Sequence, residues 1–199
     1  MKKLLVILLL VVLSIGLAFA QGVYGLKAGL NISNFSGDDA DDLDTKSVIG
    51  FNGGLFMQKH IHPMIILQPE LNYSHRGAMM EINLFGTEIE LRDNLHYLEL
   101  PLFVKLDLGE GNLKFQPYLG PELRYLIKGN GTTEADGDET TEELEDTNDF
   151  DYGVGLGIDL LFNMKYMAGF RYSQGLAEVF ENDVDTRNSS IMFNLGILY

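Results

Sequence analysis

The sequence predicts an all-β fold, an eight-stranded antiparallel up-and-down transmembrane β-barrel. Three observations predict it: apolar residues alternate with small or polar ones, the alternating segments have membrane-crossing length, and short links between them alternate with long ones. Alternation with period two places successive side chains on opposite faces of a strand. About 9–11 residues of tilted strand cross a bilayer.

The first twenty residues are interpreted as a secretory signal peptide. Lys2 and Lys3 precede an apolar run over residues 4–17, and Ala18-Phe19-Ala20 forms a small-x-small cleavage site. An uncleaved membrane anchor is the alternative, because the apolar run approaches the length of a spanning helix. Residues 21–199 are then the barrel domain.

Eight alternating segments follow the leader. The clearest is YGVGLGIDL, at residues 152–160, in which glycine occupies three alternate positions. The fourth segment changes parity between Leu91 and His96, which indicates a β-bulge. The segments cover residues 22–32, 47–58, 64–79, 88–107, 113–128, 150–162, 164–175 and 189–199.

The links between these segments alternate in length. The short ones are at residues 59–63, 108–112 and 163, and the long polar ones are at 33–46, 129–149 and 176–188. Short turns at one end and long loops at the other are typical of a barrel inserted from the periplasm. We therefore expect a cell outer membrane protein with both termini periplasmic and long acidic loops outside.

The face opposite the apolar one is expected to line the barrel interior. A lipid-embedded barrel turns apolar residues outward, and eight strands leave room only for side chains inside. Gly153, Gly155 and Gly157 would then make space for longer side chains opposite. Because buried charges are costly unless paired, we expect a polar network that plugs the interior; a narrow ion-conducting pore is the alternative. The predicted network is Lys27, Glu70, Arg76, Glu99, Lys105, Glu122, Arg124, Asp159 and Arg171, and the same face carries Asp151 and Lys165.

Composition excludes several functions. The net charge of −15 argues against nucleic acid as a partner, because its phosphates would be repelled. With no cysteine, the chain has neither a disulfide framework nor a lipoprotein anchor.

Candidate metal and catalytic residues are weak in this sequence. The acidic stretches at 37–44 and 134–146 lack the spacing of a calcium loop, so we interpret them as solvated loops rather than divalent-cation sites. His60 and His62 have no clear third ligand. Ser74 and His75 are adjacent, and adjacent strand residues point to opposite faces. The glycine run is not a nucleotide-binding motif. We expect no metal, no cofactor and no enzyme activity.

The last segment, IMFNLGILY, ends the chain on an aromatic residue. Its alternate apolar residues share one face, and an aromatic ring suits the membrane interface. The pattern resembles the C-terminal signal that barrel-assembly machinery reads in outer-membrane proteins. The residues that carry this pattern are Phe193, Leu195, Ile197 and Tyr199.

Six motifs together resemble a known family. They are GLKAGLNISNF (25–35), LQPELNYSHRG (67–77), YLELPLFVKL (97–106), PYLGPELRYL (117–126), YGVGLGIDL (152–160) and FRYSQGL (170–176). In this order they resemble the PorT-like outer-membrane β-barrel domain family of Bacteroidetes-type Gram-negative bacteria. The resemblance implies an architecture similar to the small OmpX and OmpA barrels.

The favoured function is structural or interactional, in envelope integrity or adhesion. Expected partners are outer-membrane lipid and lipopolysaccharide, the assembly machinery during insertion, and a surface or secretion partner at the acidic loops. One alternative, implied by the resemblance, is a PorT-like accessory role in protein secretion, or narrow-pore transport. A second is a soluble periplasmic barrel that binds an apolar ligand, which requires Tyr166, Phe170 and Tyr172 to point inward. A rim enzyme dependent on His75 is a minor alternative.

Overall fold

The computed structural model describes residues 22–37, 45–84, 87–135, 138–144, 147–180 and 186–199. The predicted leader and residues 38–44 of the first acidic stretch lie outside these ranges. No helix in the described ranges combines the length and the apolar character needed to cross a membrane. The strands are β1 (Val23–Ser36), β2 (Lys46–His62), β3 (Ile65–Leu84), β4 (Thr87–Leu106), β5 (Leu113–Ala135), β6 (Asp138–Glu143), β7 (Phe150–Phe162), β8 (Tyr166–Gly175) and β9 (Arg187–Leu198).

Eight of these strands form a closed antiparallel ring. Strands β1 to β5 pair in chain order, β5 pairs with β7, and β7, β8 and β9 follow in order. Strand β9 then pairs with β1, which closes the ring. Closure pairs backbone groups around the whole wall, as a membrane-spanning sheet requires. The predicted eight-stranded barrel is confirmed.

The remaining strand, β6, lies outside the ring. It pairs with residues 130–135 of β5 and forms a hairpin from what was predicted as a long polar link. Threonines favour strands, and here they face each other: Thr132 is opposite Thr141, with hydroxyl oxygens 3.2 Å apart. Part of the acidic stretch 134–146 is therefore strand rather than loop.

The ring has two chemically different ends. The end that carries the links 63–64, 107–112 and 163–165 is called the turn end, and the opposite end is called the loop end. The first and last strands begin and finish at the turn end, where the backbone N–H of Tyr199 donates to the carbonyl of Tyr24. The loop end carries the longer connections and the β5–β6 hairpin.

The outer face of the ring is an apolar belt. The exposed side chains of β7 include Val154, Leu156 and Ile158, while their sequence neighbours are buried inside. Aromatic residues border the belt at both ends, as in transmembrane barrels. The turn-end group is Tyr24, Phe115, Phe162, Tyr166 and Tyr199, and the loop-end group is Phe51, Tyr73, Tyr125, Phe150, Tyr152 and Tyr172.

This belt overturns the soluble-barrel alternative. Tyr166 and Phe170 are 53% and 41% exposed, and Tyr172 shares their outward side of β8. An apolar-ligand barrel would bury these rings in its interior. They point away from it, so that alternative is wrong.

The parity change in β4 has a different cause from the predicted bulge. The pairing of β3 with β4 is continuous through this interval. Leu91 and Leu95 face inward because the interior is apolar at this level. The irregularity lies in β5, where Ile127 has no partner across from β4. The prediction of a bulge in β4 was wrong.

The three alternate glycines of β7 make space for interior side chains, as predicted. A Cβ at Gly155 would lie 2.5 Å from Glu122 Oε1 and 2.9 Å from the Phe103 ring. A Cβ at Gly157 would meet the carbonyl oxygen of Phe170 and would lie 2.5 Å from the Tyr118 hydroxyl. Any larger residue would therefore displace the charged interior.

Candidate functional site

Among the described residues, ten buried charged side chains lie inside the ring, and we call them the plug. Each has less than a tenth of its surface exposed. Five cations and five anions give no net charge, and every one has an oppositely charged partner. The plug consists of Lys27, Arg76, Lys105, Arg124, Arg171, Glu70, Glu99, Glu122, Asp151 and Asp159.

Lys165 does not belong to the plug, although its parity predicted an inward position. It is exposed in the turn that precedes β8. Asn163 and Met164 adopt left-handed backbone angles, with φ of 52° and 54°, and reverse the chain there. The strand begins two residues later than expected, so Lys165 precedes it and has no strand face.

The tier of the plug nearest the turn end is an ion pair between Lys105 and Asp159. Polar amides lie at a similar level. Gln58 Nε2 donates to Gln68 Oε1 at 2.8 Å, and Gln68 Nε2 donates to Glu70 Oε1 at 2.6 Å. These amides connect Gln58 to Glu70 of the next tier.

The middle tier is built around Glu70. Lys27 Nζ lies 2.6 Å from Glu70 Oε2, and Arg171 Nη2 lies 2.9 Å from both carboxylate oxygens. The Arg171 guanidinium carbon also lies 4.3 Å from the centre of the Phe103 ring. Glu70 is on β3 and Arg171 on β8, strands separated by three others, so this contact crosses the lumen.

The upper tier is centred on Arg124. Its guanidinium donates to Glu122 at 2.6 Å and to Asp151 at 2.7 Å. Arg76 pairs with Glu99 at 2.8 Å and donates across the lumen to Ser173 at 3.2 Å. Charge-assisted contacts of this kind offset the cost of burying ions only when the network is complete.

Above the plug, the interior changes from charged to apolar. Tyr97 forms the boundary: its hydroxyl accepts from Asn188 Nδ2 at 3.1 Å, and the same amide donates to Asp151 at 2.9 Å. The Tyr97 ring belongs to a buried apolar cluster with Phe35, Ala78, Leu95, Leu126 and Val179.

Two members of this cluster, Phe35 and Ala78, line a cavity of about 1040 Å³ at the loop end, which we call the cup. Its other walls come from β3, β4, β5 and β6, together with Leu144 and Phe180. The Phe180 ring packs edge-on against Phe35 with ring centres 5.8 Å apart. The cup is therefore an open apolar recess above a closed charged layer.

One carboxylate, Asp93, projects into the cup wall. The residues paired with it across the sheet are Ala78 and Gly131, and neither offers a polar side chain. Within the described ranges, no hydrogen bond or ion pair reaches its carboxylate. Burial raises the pKa of Asp93 to about 6. Asp93 was not among the residues predicted from the sequence, although its position between Leu91 and Leu95 on one strand face was a usable signal.

Asp107, at the turn end, shows the opposite behaviour. Burial acts to raise its pKa, but the hydrogen bond from Gln116 Nε2 at 3.0 Å and the contacts with His60 and Lys114 outweigh it. The pKa of Asp107 is therefore lowered from its usual value. A paired carboxylate at one end of the barrel contrasts with an unpaired one at the other.

Ser74 and His75 do not form a catalytic pair. Ser74 is fully buried inside the ring, whereas His75 lies on the outer face. The His75 ring stacks on His96 with centres 4.7 Å apart, and the Tyr73 hydroxyl lies 2.6 Å from His96 Nδ1. These rings form an outward cluster at the loop-end border of the apolar belt.

The predicted metal candidates do not assemble into a site. His60 Nε2 lies 3.3 Å from Asp107, and His62 Nδ1 accepts from the backbone N–H of Met64 at 3.4 Å. In the part of the chain that the structure describes, no group of three histidine, aspartate or glutamate side chains could hold a metal ion.

The residues of the predicted C-terminal signal lie on the outer face of β9. Phe193 and Leu195 are exposed, Ile197 is half-buried and Tyr199 is exposed at the turn end. They extend the apolar belt to the last residue of the chain.

An apolar exterior around a charged interior defines a membrane-spanning β-barrel. The chain belongs to the outer membrane protein beta-barrel domain family, whose model matches residues 19–181. It is therefore an outer-membrane protein. No curated protein matches the sequence.

Solved structures of small outer-membrane barrels share this fold. Neisserial surface protein A is 14% identical with a TM-score of 0.51, and the match covers 88% of this chain and 97% of that one. The outer membrane enzyme PagL is 11% identical with a TM-score of 0.50, over 86% and 98% of the two chains. Ail, the attachment invasion locus protein of Yersinia pestis, is 14% identical with a TM-score of 0.45, over 89% and 99%. At these identities the likeness to the first two is one of fold alone.

Proposed function

We propose that the protein is a sealed outer-membrane barrel that acts through its loop end, in surface interaction or envelope integrity. The observation that carries this proposal is the plug, in which the Glu70–Arg171 ion pair and the Arg76–Ser173 hydrogen bond join β3 to β8 across the lumen. Because all ten of its charges are paired internally, the plug offers no unpaired charge to attract a permeating ion. Function then falls to the surfaces outside the plug.

The proposed orientation places the turn end and both termini in the periplasm and the loop end outside. Short periplasmic turns and longer external connections support it. The chain contains no cysteine, so single introduced thiols give a clean test. Thr140→Cys on β6 should react with a membrane-impermeant maleimide on intact cells, whereas Glu110→Cys in a turn should react only after lysis. The reverse labelling would overturn the orientation.

We also propose that the barrel is not an enzyme. The likeness to PagL shows a shared fold and carries no activity with it. Ser74 and His75 lie on opposite faces of β3, so the one adjacent nucleophile–base pair considered from the sequence cannot meet.

Conductance in planar lipid bilayers tests the sealed barrel. The wild-type protein should produce no discrete current steps, and a double variant, Arg76→Ser with Arg124→Ser, should produce them if it folds. Heat-dependent mobility in SDS reports folding of both proteins. Salt-dependent steps from the folded wild type would refute the proposal whatever the variant does.

The six motifs that resemble the PorT-like family support a second candidate, an accessory role in protein secretion. The two proposals differ in the partner that they require. A photo-crosslinker at Thr140 or at Glu110 should capture a secretion component if the accessory role holds. For a surface role, crosslinks should be confined to lipopolysaccharide and to molecules outside the cell. Assembly machinery is expected to contact the C-terminal residues in either case.

A further inference from the structure

The cup has the form of a small-molecule site. Its volume of about 1040 Å³ is just above the range of roughly 300–1,000 Å³ for ligand pockets. Phe35 and Ala78 of the buried apolar cluster line it together with Leu91, Leu144 and Phe180, and the plug closes it below. A ligand could enter from the loop end only and could not pass through.

The chemistry of the cup selects the kind of ligand. Asp93 stands between Leu91 and Leu95 along its strand and between Ala78 and Gly131 across the sheet. All four neighbours lack a polar side-chain group, and among the described residues no hydrogen bond or ion pair neutralises the carboxylate. Burial without a partner is costly for a charge. A bound cation would remove that cost.

The remaining charged groups of the lining do not supply that cation. Arg92 faces away, with its Nη2 2.7 Å from Glu90. Glu142 and Glu143 on β6 add further negative charge near the mouth. Cations are therefore attracted to the cup, and the apolar lining favours those that carry a hydrocarbon chain.

We infer that the cup binds amphiphilic amines, with the ammonium group on Asp93 and the hydrocarbon chain on the apolar lining formed by Ala78, Leu91 and Leu144. This goes beyond the proposed function, because a sealed barrel requires no ligand. Binding and conductance are also measured separately, so either can fail without the other.

Methyl-group NMR of the folded protein in detergent micelles tests the inference. The probes are octylammonium, octanol and octanoate, which share one chain length and differ in head-group charge. Octylammonium should shift the Ala78, Leu91 and Leu144 methyl signals saturably and bind more tightly than the other two. Equal affinity for all three probes would overturn the inference, because the cup would then be only an apolar recess.

Two variants assign the effect to one carboxylate. Asp93→Asn should weaken octylammonium binding about tenfold or more, the loss expected for one charge-assisted contact. Glu142→Gln removes a charge from the rim and should change the affinity by less than about twofold. Partitioning of the probes into micelles is the same for both variants. Unchanged binding in folded Asp93→Asn would contradict the inference.

The pH gives an independent check. The ammonium stays protonated below about pH 9, since amines titrate near 10.4. Between about pH 7.5 and pH 5 Asp93 takes up a proton, so wild-type affinity should fall. Asp93→Asn should lose this dependence. If both proteins respond alike, Glu142 or Glu143 is responsible and the inference fails.

Discussion

The plug and the cup occupy one lumen and differ in how their charges are neutralised. In the plug, Glu70 lies within 2.9 Å of both Lys27 and Arg171, and no member lacks a partner. In the cup, Asp93 is flanked by Ala78 and Gly131 and has no such contact among the described residues. The contrast indicates that internally balanced charge serves closure, while unbalanced charge beside an apolar surface serves binding.

The largest expected effect comes from removing the centre of the upper tier. Arg124→Met leaves Glu122 and Asp151 without their nearest cation and should lower the free energy of unfolding by about 3–5 kcal/mol. Urea unfolding in lipid vesicles measures it. Arg92→Met, which removes an exposed ion pair, is the matched control and should cost about 0–1 kcal/mol. Similar losses in both variants would show that the plug does not stabilise the barrel.

A charge on the outer face should have the next largest effect. Leu156 is 49% exposed at the middle of β7, where it faces lipid. Leu156→Arg should destabilise the barrel in vesicles by about 2–4 kcal/mol. Thr140→Arg on β6, beyond the ring, should stay within about 0.5 kcal/mol. If Leu156→Arg left the free energy of unfolding unchanged, this face would be in contact with water rather than lipid.

Crowding inside the plug should have a smaller effect. Gly157→Ala places a methyl group against the Phe170 carbonyl and the Tyr118 hydroxyl, which should cost about 1–3 kcal/mol. Gly53→Ala is the control, since its nearest neighbour would be 3.4 Å away, an ordinary contact. That variant should be neutral or gain up to about 1 kcal/mol. The free energies of unfolding of the two variants are compared by the same measurement. Equal values would show that the glycines of β7 are not needed as spacers.

The smallest effect concerns the cup and depends on pH. The folded-state pKa of Asp93, about 6, lies above the unfolded value of about 3.9. Its ionisation therefore reduces stability as the pH rises from about 4 to about 6, and the reduction is complete above that. Asp93→Asn should stabilise the protein by up to about 1 kcal/mol at pH 7.5 and by nothing at pH 4. If the increase in stability were equal at both pH values, the Asp93 carboxylate would be solvated by water in the folded protein.

The ring could be predicted from the sequence because every strand follows one rule. Lipid outside and side chains inside impose alternation, and this determined both the strands and the inward positions of residues such as Lys27 and Arg171. Alternation predicts side-chain direction only within the lipid-embedded part of the strands. Lys165 has the sequence parity of an inward residue, but it lies in the turn that the left-handed backbone of Asn163 and Met164 forms.

The cup could not be predicted in this way. At the loop end both faces of β4 carry apolar residues, so alternation no longer distinguishes inward from outward side chains. For this reason a bulge was wrongly predicted between Leu91 and His96. The isolation of Asp93 depends on Ala78 and Gly131, which are distant in sequence and meet it only through strand register. Single-strand patterns contain no information about such neighbours.

The pairing of β1 with β9 makes the two ends of the chain partners in one seam. Gly25 lies opposite Leu198, and Ser36 lies opposite Arg187. Strand β1 is synthesised before β9. The hydrogen bonds on the β1 edge that faces β9 can therefore form only after β9 has been made. A chain that stops before β9 would leave β1 and β8 as two open edges, each able to recruit a foreign strand. The ring of strands can therefore close only when β9 is present.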